Sequence, residues 1–215
     1  MNTLISATDT ARTSAPAAWV AIAAAGAVLL FLASLHVLSP EFDPSFRVVS
    51  EYANGRYGWV LSLMFVAWAL SSWALAIAIW SQVNGIYGKI GLGFLIAAGV
   101  GEAMASVFDI NHPLHNLAGM IGVLGLPTAA MLISVRLGRT QAWLSAKRTL
   151  LWTANLTWAS LVLMFAALII MIRGYTLAGS RIVFVGWANR LLVVLYCMWA
   201  VTVAIQALRL RRPLR

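Results

Sequence analysis

Long apolar runs alternate with short polar breaks along almost the whole chain. Six of these runs lie near residues 17–38, 58–80, 88–108, 114–136, 149–172 and 182–208. A helix needs about 20 consecutive apolar residues to cross the hydrocarbon core of a bilayer, and each run reaches that length. The pattern predicts an all-α fold, a polytopic transmembrane bundle of six helices spanning 17–208. Residues 1–16 are expected as an N-terminal tail and 209–215 as a basic tail. The first run has no basic cluster before it, which fits a retained helix rather than a cleaved signal.

Composition agrees with this reading. The 215 residues are 62% hydrophobic and 10% charged, against about 45–50% and about 25% in a soluble domain. A net charge of +9 on a soluble chain would point to nucleic acid. Here the basic residues sit in short loops and at the C-terminus, so membrane lipids are the expected surroundings and no nucleic acid is implied. Arg12, Lys89, Arg136, Arg139, Lys147, Arg148, Arg209, Arg211, Arg212 and Arg215 fall on one face, and Arg47, Arg56, Arg173 and Arg181 on the other. Positively charged loops stay inside, so both termini are expected in the cytoplasm, in a multi-pass protein of the inner (plasma) membrane. Trp19, Trp80, Tyr87 and Trp152 on the inner side, and Tyr57, Trp59, Tyr175 and Trp187 on the outer, suit an interfacial aromatic belt. The lone Cys197 lies within the sixth run and reads as a packing residue.

One loop is long. Residues 39–57, SPEFDPSFRVVSEYANGRY, contain Pro40 and Pro44, which break helices, and an Asn54-Gly55 turn signal. This segment is expected to fold over the outer mouth of the bundle. In the third run Gly93, Ala97, Gly101 and Ala105 recur every fourth residue, a stripe along which another helix can approach closely. In the fourth, Pro127 removes a backbone hydrogen bond and is expected to kink the helix.

Five of the six acidic residues, Glu41, Asp43, Glu51, Glu102 and Asp109, and all three histidines, His36, His112 and His115, fall at the outer side. A carboxylate within a span costs about 2.5–3.5 kcal/mol at mid-span and normally faces a partner or a wet cavity. Arg190, at comparable depth in the sixth run, is the expected ion-pair partner of Glu102. Asp109, His112 and His115 are spaced by three residues in FDINHPLHN, and His36 could add a fourth ligand. These are the residue types of a zinc site, although Pro113 interrupts the helix that would align them. In the plainer reading Asp109 or Asn111 caps the fourth helix and His115 bonds to nearby backbone. There is no HExxH, GxSxG or Walker loop. Lysine occurs only at 89 and 147, outside the positions a Schiff base within a span would need.

The segment FRVVSEYANGRYGWVLSLMF, with Ser50, Tyr52, Gly55, Tyr57, Gly58 and Trp59, resembles the outer-loop motif of an uncharacterised prokaryotic membrane family, domain of unknown function 998. Phe108-Asp109 ending the third run and His115 opening the fourth match its later elements. The resemblance covers nearly the whole chain and implies a six-helix membrane protein, with no established activity or binding residues to transfer. Where many members carry a Pro-Thr-Asp type stretch, this chain has Asp109-Ile110-Asn111.

Three roles compete on these grounds. The first is a binding protein whose outer polar pocket, formed by Glu102, Arg190, Asp109, His115, Ser50, Glu51, Tyr52 and Tyr57, holds a lipid headgroup or small amphiphile; Arg173, Arg181 and Arg190 would suit an anionic headgroup. The second is a metal-dependent intramembrane hydrolase, with Asp109, His112 and His115 holding zinc and Glu102 or Glu51 as general base. The third is a small transporter, for which the inner half offers only Thr153, Asn155 and Thr157.

Overall fold

The computed structural model describes residues 14–174, 176, 177, 180, 181 and 183–210. The expectations for Arg12, Tyr175, Arg211, Arg212 and Arg215 lie outside the described residues, as does the side chain of Arg181. Six helices are long and apolar enough to cross a membrane: α1 (Ala15–Leu38), α2 (Gly58–Ile79), α3 (Ile86–Val107), α4 (His115–Leu137), α5 (Lys147–Arg173) and α6 (Val185–Arg209). Pro16 occupies the first turn of α1, where its missing N–H is no loss. Gly174, in the left-handed conformation at φ 67°, ends α5. α4 continues through the buried Pro127 as one helix.

Each helix packs against its neighbour in sequence, and α6 returns to α1, closing a ring across whose interior α2 also meets α6. Because lipid is as apolar as leucine, side-chain size rather than polarity selects the inward face. In α1 the buried positions Ala18, Ala21, Ala25, Val28, Leu32 and Leu35 follow a three–four spacing, while Trp19, Leu30 and Val37 face out. The same logic joins α3 to α4 most extensively. A Cβ on Gly101 would stand 2.6 Å from both the Ala118 carbonyl oxygen and the Gly122 nitrogen. The expected stripe holds only in part: Gly101 and Ala105 face inward, but Gly93 has nothing within 4 Å of its Cβ position, and Gly91 and Ala98 are the buried small residues nearer the start of the helix.

At the end opposite the long loop, polar side chains tie the connections down. Trp143 is buried in a 3-10 helix, Gln141–Ala146, that precedes α5, and its Nε1–H donates to Gln82 Oε1 at 2.7 Å. The Nε–H of Arg136 donates to the Asn84 carbonyl at 2.5 Å. Trp199, fully buried on α6, donates to Ser134 Oγ at 3.0 Å. Before α6, Thr176–Leu177 and Ser180–Arg181 form a short antiparallel pair, so that helix starts at Val185, three residues after the expected 182. The long loop carries a second 3-10 helix, Val49–Asn54, and is called the lid below.

If close approach at Gly101 joins α3 to α4, Gly101→Leu should destabilise the protein by about 1–3 kcal/mol. Gly93→Leu should stay within about 0.5 kcal/mol of the parent. Unfolding midpoints in detergent check this; equal losses at both positions would contradict the packing.

Candidate functional site

The polar residues at the lid end form three separate groups. The first centres on Arg190, which is only 4% exposed. Its Nε–H donates to His36 Nε2 at 2.7 Å, Nη1 donates to the carbonyls of Arg47 at 2.7 Å and Gly186 at 3.0 Å, and Nη2 donates to the Tyr52 hydroxyl at 2.9 Å. The guanidinium also lies 5.4 Å from the Tyr52 ring centre. Since guanidinium can only donate, His36 Nε2 must accept. The imidazole proton therefore sits on Nδ1, which donates to the Leu32 carbonyl at 2.7 Å. Trp187 stacks on His36, and Tyr52 meets it edge-on.

This knot fastens the lid. The Val49 N–H donates to Asn189 Oδ1 at 2.8 Å, and the Gly186 N–H donates to the Ser45 carbonyl at 3.3 Å. No side chain fits at 186, because a Cβ there would collide with the carbonyl oxygens of Pro44 and Arg47. Glu51 accepts from Arg47 Nη1 at 2.6 Å and from the Val48 N–H at 3.3 Å. The backbone N–H of Ser45 beside Asp43 holds that exposed carboxyl below the usual carboxylate range. Ser50 and Tyr57 are half-buried in the lid and at its junction with α2.

The second group centres on Glu102, 5% exposed on α3. Ser72 Oγ donates to Glu102 Oε2 at 2.8 Å, and Oε1 has no hydrogen-bond partner among the described residues. The expected ion pair with Arg190 is not formed. Both residues lie five positions from a helix end on the lid side, so the depth matched; the direction did not. Arg190 faces α1 and the lid, whereas Tyr196, six residues on and about 120° away around α6, is the residue that turns to Glu102. The cavity between them has a volume of about 50 Å³ and is walled by Phe65 and Trp68 of α2, Gly119 and Gly122 of α4, and Tyr196. The Phe65 and Trp68 rings are parallel within 3° at 6.5 Å, and Tyr196 stands edge-on to Trp68 at 6.2 Å. The Tyr196 hydroxyl donates to the Val123 carbonyl at 2.8 Å. Phe65, Gly119 and Val123 are only half-buried and form the rim. The aromatic wall went unnoticed in the sequence, although Phe65 and Trp68, three residues apart on one helix, were a usable signal.

The third group is the α3–α4 connection. The Asn111 N–H donates to Asp109 Oδ1 at 2.9 Å, so Asp109 closes a local turn and does not cap α4. Asn111 Nδ2 donates to Asn54 Oδ1 in the lid at 2.8 Å. His112 Nδ1 accepts from the Leu114 N–H at 3.2 Å while its ring stacks on Phe108. His115 Nδ1 donates to the Phe108 carbonyl at 2.8 Å, as the plainer reading expected. Asp109, His112, His115 and His36 do not come together as a zinc site. Both ring nitrogens of His36 are engaged elsewhere, and among the described residues no three His, Cys, Asp or Glu side chains are grouped to hold a metal ion. Arg190 is likewise committed to protein acceptors and Arg173 is exposed at the end of α5; the third arginine expected for an anionic headgroup, Arg181, has its side chain outside the described residues.

Two double-mutant cycles separate these groups. Arg190→Gln and His36→Ala should couple by more than about 0.5 kcal/mol, and Arg190→Gln and Glu102→Gln should add within about that amount. Unfolding free energies measured in one detergent check both; strong coupling in the second cycle would restore the ion pair.

No curated protein and no solved structure matches this chain. The family model described as protein of unknown function (DUF998) matches residues 16–206, which take in all of α2 to α5 and nearly all of α1 and α6, and the chain belongs to that family.

Proposed function

We propose that this multi-pass membrane protein is a binding protein that takes the polar end of a small amphiphile from the bilayer into the Glu102 cavity. The observation that carries this reading is a buried carboxyl group, with one oxygen unpartnered and no cation beside it among the described residues, in an otherwise apolar cavity inside a helix bundle. Apolar walls with one or two placed polar groups are the usual composition of a small-molecule site. At about 50 Å³, where about 10–15 Å³ already holds one water, the cavity has room for a small polar end group. The half-buried rim offers a route from the side for the rest of the molecule. The lid end faces the extracytoplasmic side of the plasma membrane, supported by the excess of Lys and Arg at the other end. An anionic headgroup is disfavoured, because Arg190 is held by His36, Arg47, Gly186 and Tyr52.

Gly119 supplies a clean test. A Cβ there meets nothing within 4 Å, so Gly119→Leu should fold, with a helix propensity gain of about 0.5–1 kcal/mol, while filling the rim. Native mass spectrometry of protein extracted with its own lipids should show a bound amphiphile on the parent and at least about tenfold less on the variant, a difference of about 1.4 kcal/mol in binding. Equal occupancy in the two proteins would refute the site.

A further inference from the structure

We infer that the Glu102 cavity selects a primary ammonium group at the end of an alkyl chain; this rests on the amphiphile-binding reading above. Three features of the wall point the same way. Glu102 Oε1 has no hydrogen-bond partner among the described residues, and Ser72 already donates to Oε2 at 2.8 Å, which orients the carboxyl group. Phe65, Trp68 and Tyr196 present three aromatic rings around the same space, and ring faces attract cations within about 6 Å. The Tyr196 hydroxyl donates to the Val123 carbonyl, so it is not a free donor for an anion.

Size is compatible with this class: about 50 Å³, several times the roughly 10–15 Å³ that holds one water, accommodates an ammonium and its first methylene. A neutral hydroxyl can exchange only a neutral hydrogen bond with the Glu102 carboxyl group, which is costly to ionise alone in apolar surroundings. An ammonium supplies the countercharge that lets the group ionise, and the resulting charge-assisted hydrogen bond is roughly twice as strong as a neutral one. The ammonium can belong to a single-chain amine or to the headgroup of an ethanolamine phospholipid.

The test uses the full-length protein in nanodiscs of phosphatidylglycerol, which has no amine, titrated with n-decylamine, n-decanol or decyl sulfate while the unfolding midpoint is followed. Decylamine should raise the midpoint saturably, decanol and decyl sulfate should not, and Glu102→Gln should weaken decylamine at least about tenfold. Ser72→Ala, which keeps the charge, should weaken it less, and a second wild-type sample with phosphatidylethanolamine in the disc shows whether a phospholipid headgroup competes. Competition assigns the ammonium to the phospholipid and its absence to a single-chain amine, and both uphold the inference. Decanol acting as well as decylamine, with Glu102→Gln unaffected, would overturn the ammonium selectivity and leave the amphiphile site standing. No response to any probe, together with equal native occupancy in Gly119→Leu, would overturn both.

Discussion

A guanidinium buried without a carboxylate sets the architecture of the lid end. Arg190 cannot lose its charge, and a charged side chain within a span costs about 2.5–3.5 kcal/mol on insertion scales. Its four hydrogen bonds to neutral acceptors, each worth about 1.5–3 kcal/mol where one group is charged, together outweigh that cost. They come from α1 (His36), from two points of the lid (Arg47 and Tyr52) and from the preceding turn of α6 (Gly186). One side chain thereby ties the lid, the first helix and the last helix to one another. Gly186 is part of the same constraint, since the lid carbonyls approach α6 where a Cβ would be.

The orientation of α6 follows. With Arg190 turned to α1 and the lid, the face about 120° away brings Tyr196 against Trp68 and over the Glu102 cavity. The carboxylate is thereby denied the cation at its own depth. Separating the two groups costs the protein an ion pair. The structure thus uses its buried guanidinium for assembly and leaves the Glu102 carboxyl group with Ser72 as its partner among the described residues.

The sequence was informative about depth and poor about direction. Run length and the placing of Pro40, Pro44 and Asn54-Gly55 located all six helices to within three residues, because crossing a bilayer imposes a length. Residue counting also put Glu102 and Arg190 at one level. Which way each side chain turned depended on packing between helices that are apolar all round, where hydrophobic periodicity has little to report. The partners of Arg190 were harder still to foresee: two are backbone carbonyls, which every residue possesses. The expected zinc ligands are not grouped among the described residues, for a related reason. Spacing in FDINHPLHN suggested convergence, yet local turns gave Asp109 and His112 backbone partners two residues away, and such short-range bonds compete effectively with a site that has to be assembled. The stripe in α3 was half right because a four-residue repeat drifts around a helix of 3.6 residues per turn, carrying Gly93 out to lipid while Gly101 stays inside.

The same small residues that bind α3 to α4 also create the cavity. Gly101 lets the two backbones approach, which sets Glu102 beside α4; Gly119 and Gly122 then leave the space above that contact unfilled. A bundle selected only for tight packing would place larger side chains at the rim, since helix propensity and dispersion both favour them over glycine, and position 119 has room for one. Gly26 and Gly93 also face open space, so exposure alone does not set Gly119 apart. Gly119 differs from them in lining a cavity beside a buried carboxyl group and three aromatic rings. Packing accounts for Gly101; under the binding reading, an open entrance to Glu102 accounts for Gly119.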